Sequence, residues 1–205
     1  MHANVWTAAL AGVTMTLLGG CGVKGGWMGA DAEKAYEAQM KAKAEAAKLN
    51  NDDYYEIHRD GRIYVFSDLD EYQSFRKVGE IPLVVTKIGA GPNGETVKMG
   101  LLKSEAKAME KTVGYKGSAQ RMFEGELKGA DKGFYGELHK NGRIYVFTDW
   151  KDLEAFKATG EAPFGVTHIG KGPNRETVVF VQNSASAKSA PTEAIARFES
   201  IYAAK

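Results

Sequence analysis

The chain has 205 residues, with 27 Lys+Arg against 26 Asp+Glu and a formal net charge of +1. Its 43% hydrophobic and 26% charged residues are ordinary for a globular protein and exclude a disordered tail or a fibre. The balanced charge argues against a broad nucleic-acid footprint, so no nucleic-acid partner is expected. A single cysteine excludes a disulfide framework and a CxxC metal site.

Residues 1–20 contain no Lys, Arg, Asp or Glu, and their apolar stretch runs from Val5 to Leu18. It is shorter than the about 20 apolar residues of a membrane span and suits the hydrophobic region of a signal peptide. Leu18-Gly19-Gly20-Cys21 follows it. These four residues resemble the lipobox of bacterial lipoproteins. The resemblance implies cleavage before Cys21 and lipid attachment there, so that the membrane is reached through an acyl anchor. Gly22 rather than Asp after the cysteine then implies an outer-membrane lipoprotein of the bacterial cell envelope, facing the periplasm or the cell surface. The leading region lacks the positive charge of that pattern, and a buried apolar segment with an incidental cysteine is the other reading. Residues 21–30 are rich in glycine and read as a flexible tether.

An internal duplication organises the remainder. Residues 54–97 and 135–178 align without a gap at an offset of 81, with 24 identities in 44 positions. The repeat is too long for the usual solenoids, and two copies are too few for a propeller. Ahead of the first copy, Asp31–Leu49 is rich in Ala, Glu and Lys and reads as a helix with a thin apolar stripe. Within the first copy, Tyr54–Arg59 and Arg62–Ser67 flank Asp60-Gly61, a strong hairpin signal. The alternation places Glu56 and His58 on one face, opposite Val65 and Ile63, and Ile57, Tyr64 and Phe66 on the other.

Asp68 is then a helix N-cap with Glu71 three residues on, Leu69, Tyr72 and Phe75 fall at helical spacing, and Gly79 supplies the stop. A second hairpin joins Leu83–Ile88 to Glu95–Leu101 around residues 89–94. The second copy repeats each element, with Asn141-Gly142, Asp149, Gly160 and the loop 170–175. Ser104–Val113, Ser118–Lys128 and Thr192–Ala204 read as further helices, and Ser184–Pro191 as a linker. The expected fold is α+β: two tandem β-β-α-β-β modules, with antiparallel sheets and helices packed on one face. The expected domains are a signal peptide (1–20), a lipidated tether (21–30), module 1 with its leading helix (31–116) and module 2 with the C-terminal helix (117–205).

Several polar residues recur in both copies. Glu56 with His58, and Glu137 with His139, could form acid/base pairs or part of a metal or ligand site. His168, which replaces Lys87, adds an imidazole to the second copy alone. A hydrogen-bonded histidine on a helix-covered strand gives the same pattern. Arg62 and Arg143, at the turn exits, could hold a carboxylate or phosphate, or make a local ion pair. The Gly-x-Gly-Pro-Asn loops join two strands rather than a strand and a helix, which favours wide turns over phosphate cradles. Tyr55 is the aromatic most expected at the surface, because Gly136 replaces it.

No hydrolase triad, zincin helix or nucleotide fingerprint is present, so no cofactor and no enzymatic activity is expected. The leading functional expectation is a non-catalytic binding or structural module meeting an envelope protein or the cell wall. The alternative is a periplasmic small-ligand or metal binder using the Glu-x-His residues, the metal unspecified.

Overall fold

The computed structural model describes residues 50–203, together with Asp31 and Lys34. The expected signal peptide, Cys21, the tether and the rest of the 31–49 helix lie outside the described residues. The strands and helices form one mixed α/β unit around a single eight-stranded sheet.

The first repeat supplies β1 (Asp53–Arg59), β2 (Arg62–Phe66), α1 (Leu69–Val78), β3 (Val84–Lys87) and β4 (Thr96–Gly100). Two short helices follow, α2 (Lys103–Lys111) and α3 (Ser118–Phe123). The second repeat supplies β5 (Tyr135–Lys140), β6 (Arg143–Phe147), α4 (Trp150–Thr159), β7 (Phe164–His168) and β8 (Thr177–Gln182), and α5 (Thr192–Ala203) closes the described chain.

Local chemistry accounts for the element ends. Asp60 and Gly61 both have positive φ, 53° and 68°, as do Asn141 and Gly142, 54° and 72°. Such a pair twists as the flanking strands do and closes a two-residue hairpin. The Asp68 carboxylate accepts from the Glu71 amide at 3.1 Å, and that of Asp149 from the Lys151 amide at 2.8 Å. Gly79 and Gly160 end α1 and α4 in the left-handed conformation. The helix expected over 118–128 stops at Phe123. There the chain turns through Gly125, at φ 76°, and the Glu126 and Leu127 amides both return to the Arg121 carbonyl.

The strand order is β3-β4-β2-β1-β5-β6-β8-β7. The hairpins β1–β2, β3–β4, β5–β6 and β7–β8 are antiparallel, with Glu56 opposite Val65 and His58 opposite Ile63. The contacts β2–β4, β6–β8 and β1–β5 are parallel. The expectation of antiparallel sheets is therefore corrected to one mixed sheet. The helical connections between β2 and β3 and between β6 and β7 let later strands return alongside earlier ones, which a pure meander does not do.

The order reads the same outward from the β1–β5 seam, and the two seam strands run in the same direction. Only a pseudo-twofold axis running along the strands relates such halves, and that rotation exchanges the two faces of the sheet. Equivalent residues of the repeats accordingly lie on opposite faces. Tyr54, Ile63 and Val65 share a core with Leu138, Phe147, Leu153 and Phe156. Tyr135, Ile144 and Val146 share the other with Tyr55, Phe66, Tyr72, Phe75 and Phe198.

Helices cover both faces, not one as expected: α3 and α4 one, α1 and α5 the other. Helix α3, placed by the sequence reading at the head of the second module, packs on β2 and β4 of the first repeat. Buried Glu105 of α2 fixes its start, accepting from the Ser118 amide at 2.7 Å and hydroxyl at 2.6 Å.

Tyr55 is fully buried, stacked on Tyr72 with ring centroids 4.2 Å apart, which corrects its expected exposure. Its counterpart is glycine because position 136 faces the other core. A Cβ there would stand 2.8 Å from Leu153 Cδ1 and 3.0 Å from Phe134 Cζ.

Candidate functional site

Because β1 and β5 are parallel, both hairpin turns, at residues 60–61 and 141–142, lie at the same end of the sheet. Arg62 pairs with Thr96, and Arg143 with Thr177, so the loops preceding β4 and β8 reach that end too. Two clefts open there, one per face. The first, of about 440 Å³, is lined by Glu56, His58, Pro92, Lys140, Phe156 and Lys157 among others. The second, of about 320 Å³, is lined by Arg59, Tyr72, Arg76, His139, Arg143 and Glu176 among others.

At the base of the first cleft, Glu56 is only 3% exposed. The Tyr54 hydroxyl donates to it, His58 Nε2 lies 2.6 Å from its Oε1, and Lys157 Nζ donates to its Oε2 at 2.7 Å. Burial works to raise its pKa, but the Lys157 ammonium and the hydrogen bonds from His58, Lys157 and Tyr54 outweigh burial and hold it at about 2. Burial, reinforced by the Glu56 charge, pushes the Tyr54 hydroxyl well above the usual tyrosine range. Lys157 comes from α4, so the first repeat's carboxylate is neutralised by the second repeat's helix.

The second cleft inverts the arrangement. Glu137, fully buried, accepts from Tyr135 at 2.6 Å, Tyr202 at 2.6 Å and Tyr72 at 3.3 Å. His139 Nε2 lies 2.8 Å from its Oε2. Tyr72 comes from α1 of the first repeat, where the equivalent of the second repeat is Leu153, and Tyr202 from α5. Burial and then the Glu137 carboxylate raise all three tyrosines well above their ordinary values, so they stay protonated donors. Arg76, the counterpart of Lys157, makes no ion pair among the described residues. Its guanidinium lies over the Tyr202 ring at 4.1 Å.

The two Gly-x-Gly-Pro-Asn loops are closed turns. Asn93 donates its backbone and side-chain amides to Glu95 at 2.8 and 2.9 Å, and Asn174 does the same to Glu176 at 2.7 and 2.9 Å. These bonds lower both carboxylates, against burial in the case of Glu176. The loop amides thus already hold an internal anion. Ile88 and Ile169, at the loop shoulders, are 89% and 82% exposed.

Each Glu-x-His pair is brought together as a hydrogen-bonded pair, but the two pairs project from opposite faces. His168 packs edge-on against Phe180, with centroids 5.2 Å apart, and lines neither cleft. Arg62 lines a separate groove with Tyr64, Glu80 and Lys98, whereas Arg143 borders the second cleft. Neither makes an ion pair among the described residues. No group of three His, Cys, Asp or Glu there could hold a metal ion.

The residues missed from sequence are Arg59 and Lys140, and Arg76 and Lys157. Each pair keeps its charge between copies while changing its identity, so a search for identical residues passes over them. Comparison with protein-family models, curated proteins and solved structures finds no match to this chain.

Proposed function

We propose that this protein is a non-catalytic binding lipoprotein of the bacterial envelope, anchored through Cys21 and built from two fused β-β-α-β-β modules. Its partner, an envelope protein or cell-wall component, meets the loop end of the sheet. The observation that carries this reading is that both turns, both Gly-x-Gly-Pro-Asn loops, both clefts, and the exposed Ile88 and Ile169 beyond the two edge strands all lie at one end of the strands. A partner spanning this end of the sheet would meet both clefts and cover both isoleucines.

The state of the groups at the two clefts supports a non-catalytic role; Glu71, pushed up to about 7, lines neither cleft. A general base works best near neutral pH. Glu56 at about 2 is a poor base, and the tyrosines around Glu137 are held protonated.

Ligand binding in the clefts is the second reading, favoured by their shape and by the imidazoles that line them. Its metal form has less support, because His58 and His139 project from opposite faces and His168 is remote from both clefts.

The test is cross-linking of the full chain in its own membranes, compared with a variant carrying Ile88→Ser and Ile169→Ser and Gly/Ser replacement of residues 89–94 and 170–175. The expected result is loss of the cross-linked partner with unchanged circular dichroism. An unchanged cross-linking pattern overturns the loop-end reading. Retention of acylation in Cys21→Ser overturns the anchor.

A further inference from the structure

The two clefts descend from the same sequence but differ in charge. In the first, the two inherited cations are Lys140 and Lys157, and Lys157 is bound to Glu56 at 2.7 Å. In the second, the equivalent positions hold Arg59 and Arg76. Three tyrosine hydroxyls and His139 already satisfy Glu137, so Arg76 is not drawn down to it.

Both guanidiniums are supported on aromatic rings. Arg76 lies over Tyr202 at 4.1 Å and Tyr72 at 5.7 Å, and Arg59 over Phe75 at 5.0 Å and Tyr64 at 5.3 Å. The acidic partner of Arg59 is Asp60, 3.8 Å away on the exposed turn. Glu176, the carboxylate at the mouth of this cleft beside the buried Glu137, is occupied by the Asn174 amides of its own loop. The result is a cleft of about 320 Å³, bordered by Arg143, in which two ring-supported guanidiniums face solvent without a close ion pair, beside the His139 imidazole that is hydrogen-bonded to buried Glu137.

We propose that this second cleft binds a phosphate monoester group, clamped between Arg59 and Arg76 with His139 beside it. The inference deepens the binding reading above and rests on it. Ring stacking holds each planar fork in orientation, so less side-chain freedom is lost when it binds. A carboxylate, with two oxygens, satisfies one fork. A phosphate monoester carries three terminal oxygens and two charges, and can engage both forks at once. The first cleft lacks this capacity, because its Lys157 already has a buried partner.

The phosphate could belong to a small soluble molecule or to a lipid headgroup, and the same chemistry serves both. The test is calorimetric titration of the full chain, in detergent, with glycerol 3-phosphate and, separately, with dihexanoyl phosphatidic acid, dihexanoyl phosphatidylcholine serving as the blank. Arg76→Gln and Arg59→Gln are each expected to weaken binding by about tenfold or more, the loss that accompanies removal of one charge-assisted contact. Arg62→Gln, outside the cleft, is expected to leave it unchanged.

Binding of glycerol 3-phosphate but not of dihexanoyl phosphatidic acid, with this pattern, supports the proposal and identifies a soluble ligand. The same pattern with dihexanoyl phosphatidic acid, whether or not glycerol 3-phosphate also binds, supports it and identifies a headgroup. Failure of both probes overturns the proposal, as does binding indifferent to Arg59→Gln and Arg76→Gln or equally sensitive to Arg62→Gln. Those failures leave the cross-linking result untouched, so the two readings fall separately.

Discussion

Lys157→Met tests how the first repeat depends on the second. Glu56 is 3% exposed, and Lys157 is its cationic partner from across the sheet. A carboxylate lowered from 4.5 to about 2 on folding stabilises the protein above its unfolded pKa, and this contribution is lost as pH falls from about 4.5 toward 2. The full displacement corresponds to about 3 kcal/mol, of which about 2 kcal/mol disappears between pH 6 and pH 3.

Removing the ammonium leaves a buried charge without its counter-ion, and breaking such a pair costs about 3 kcal/mol or more. Urea unfolding at pH 7 is therefore expected to show a loss of about 3 kcal/mol in Lys157→Met, and at pH 3 a loss of about 1 kcal/mol. Glu124 also sits at about 2, with burial outweighed by hydrogen bonds from Lys116, Lys87 and Gln120. The difference between variant and parent therefore isolates Glu56, where either curve alone does not. Adding Glu56→Gln to Lys157→Met is expected to recover most of the loss. If the variant's deficit is the same at pH 3 as at pH 7, the charge argument is wrong and Lys157 acts through packing on Tyr54 and Phe123.

Glu71 carries the opposite pH dependence. Burial, then the Asp68 and Glu105 charges, push it up to about 7, and its Oε2 is buried without a hydrogen-bond partner. A raised carboxylate favours the fold fully below 4.5 and loses that contribution as pH rises through 7. Glu71→Gln is thus expected to stabilise by about 1 kcal/mol at pH 8, discounted for its partial exposure, and to be neutral at pH 4 by urea unfolding. Gly136→Ala is expected to destabilise by about 1–3 kcal/mol, because its methyl group would press on Leu153 and Phe134, and a thermal melt with no shift refutes that packing account.

Local structure was legible because local chemistry specifies it. The positive-φ turns, the aspartate caps, the glycine stops and the register of Glu56 against Val65 all follow from residues within one hairpin or helix. Glu71 is a partial exception: it sits at the capping-box position, yet one of its oxygens turns into the interior. The parallel contacts were not legible. Nothing near Tyr54 or Tyr135 in the chain announces that β1 and β5 are neighbours, and alternation within one strand does not tell which face its partner strand shares. The expected exposure of Tyr55 failed for that reason. The Glu-x-His pairs were found, whereas Lys157, 101 residues from Glu56, had no local signal linking it to that carboxylate.

The seam between β1 and β5 also bears on the history of the chain. A single-repeat ancestor could form the same sheet as a homodimer, with its twofold axis along the strands, but every substitution would then enter both clefts at once. Joining the copies in one polypeptide removed that constraint. The two equivalent helix positions could then differ, tyrosine at 72 and leucine at 153, and so could Arg76 and Lys157. The price is dependence: each half buries a carboxylate whose partners include a residue of the other.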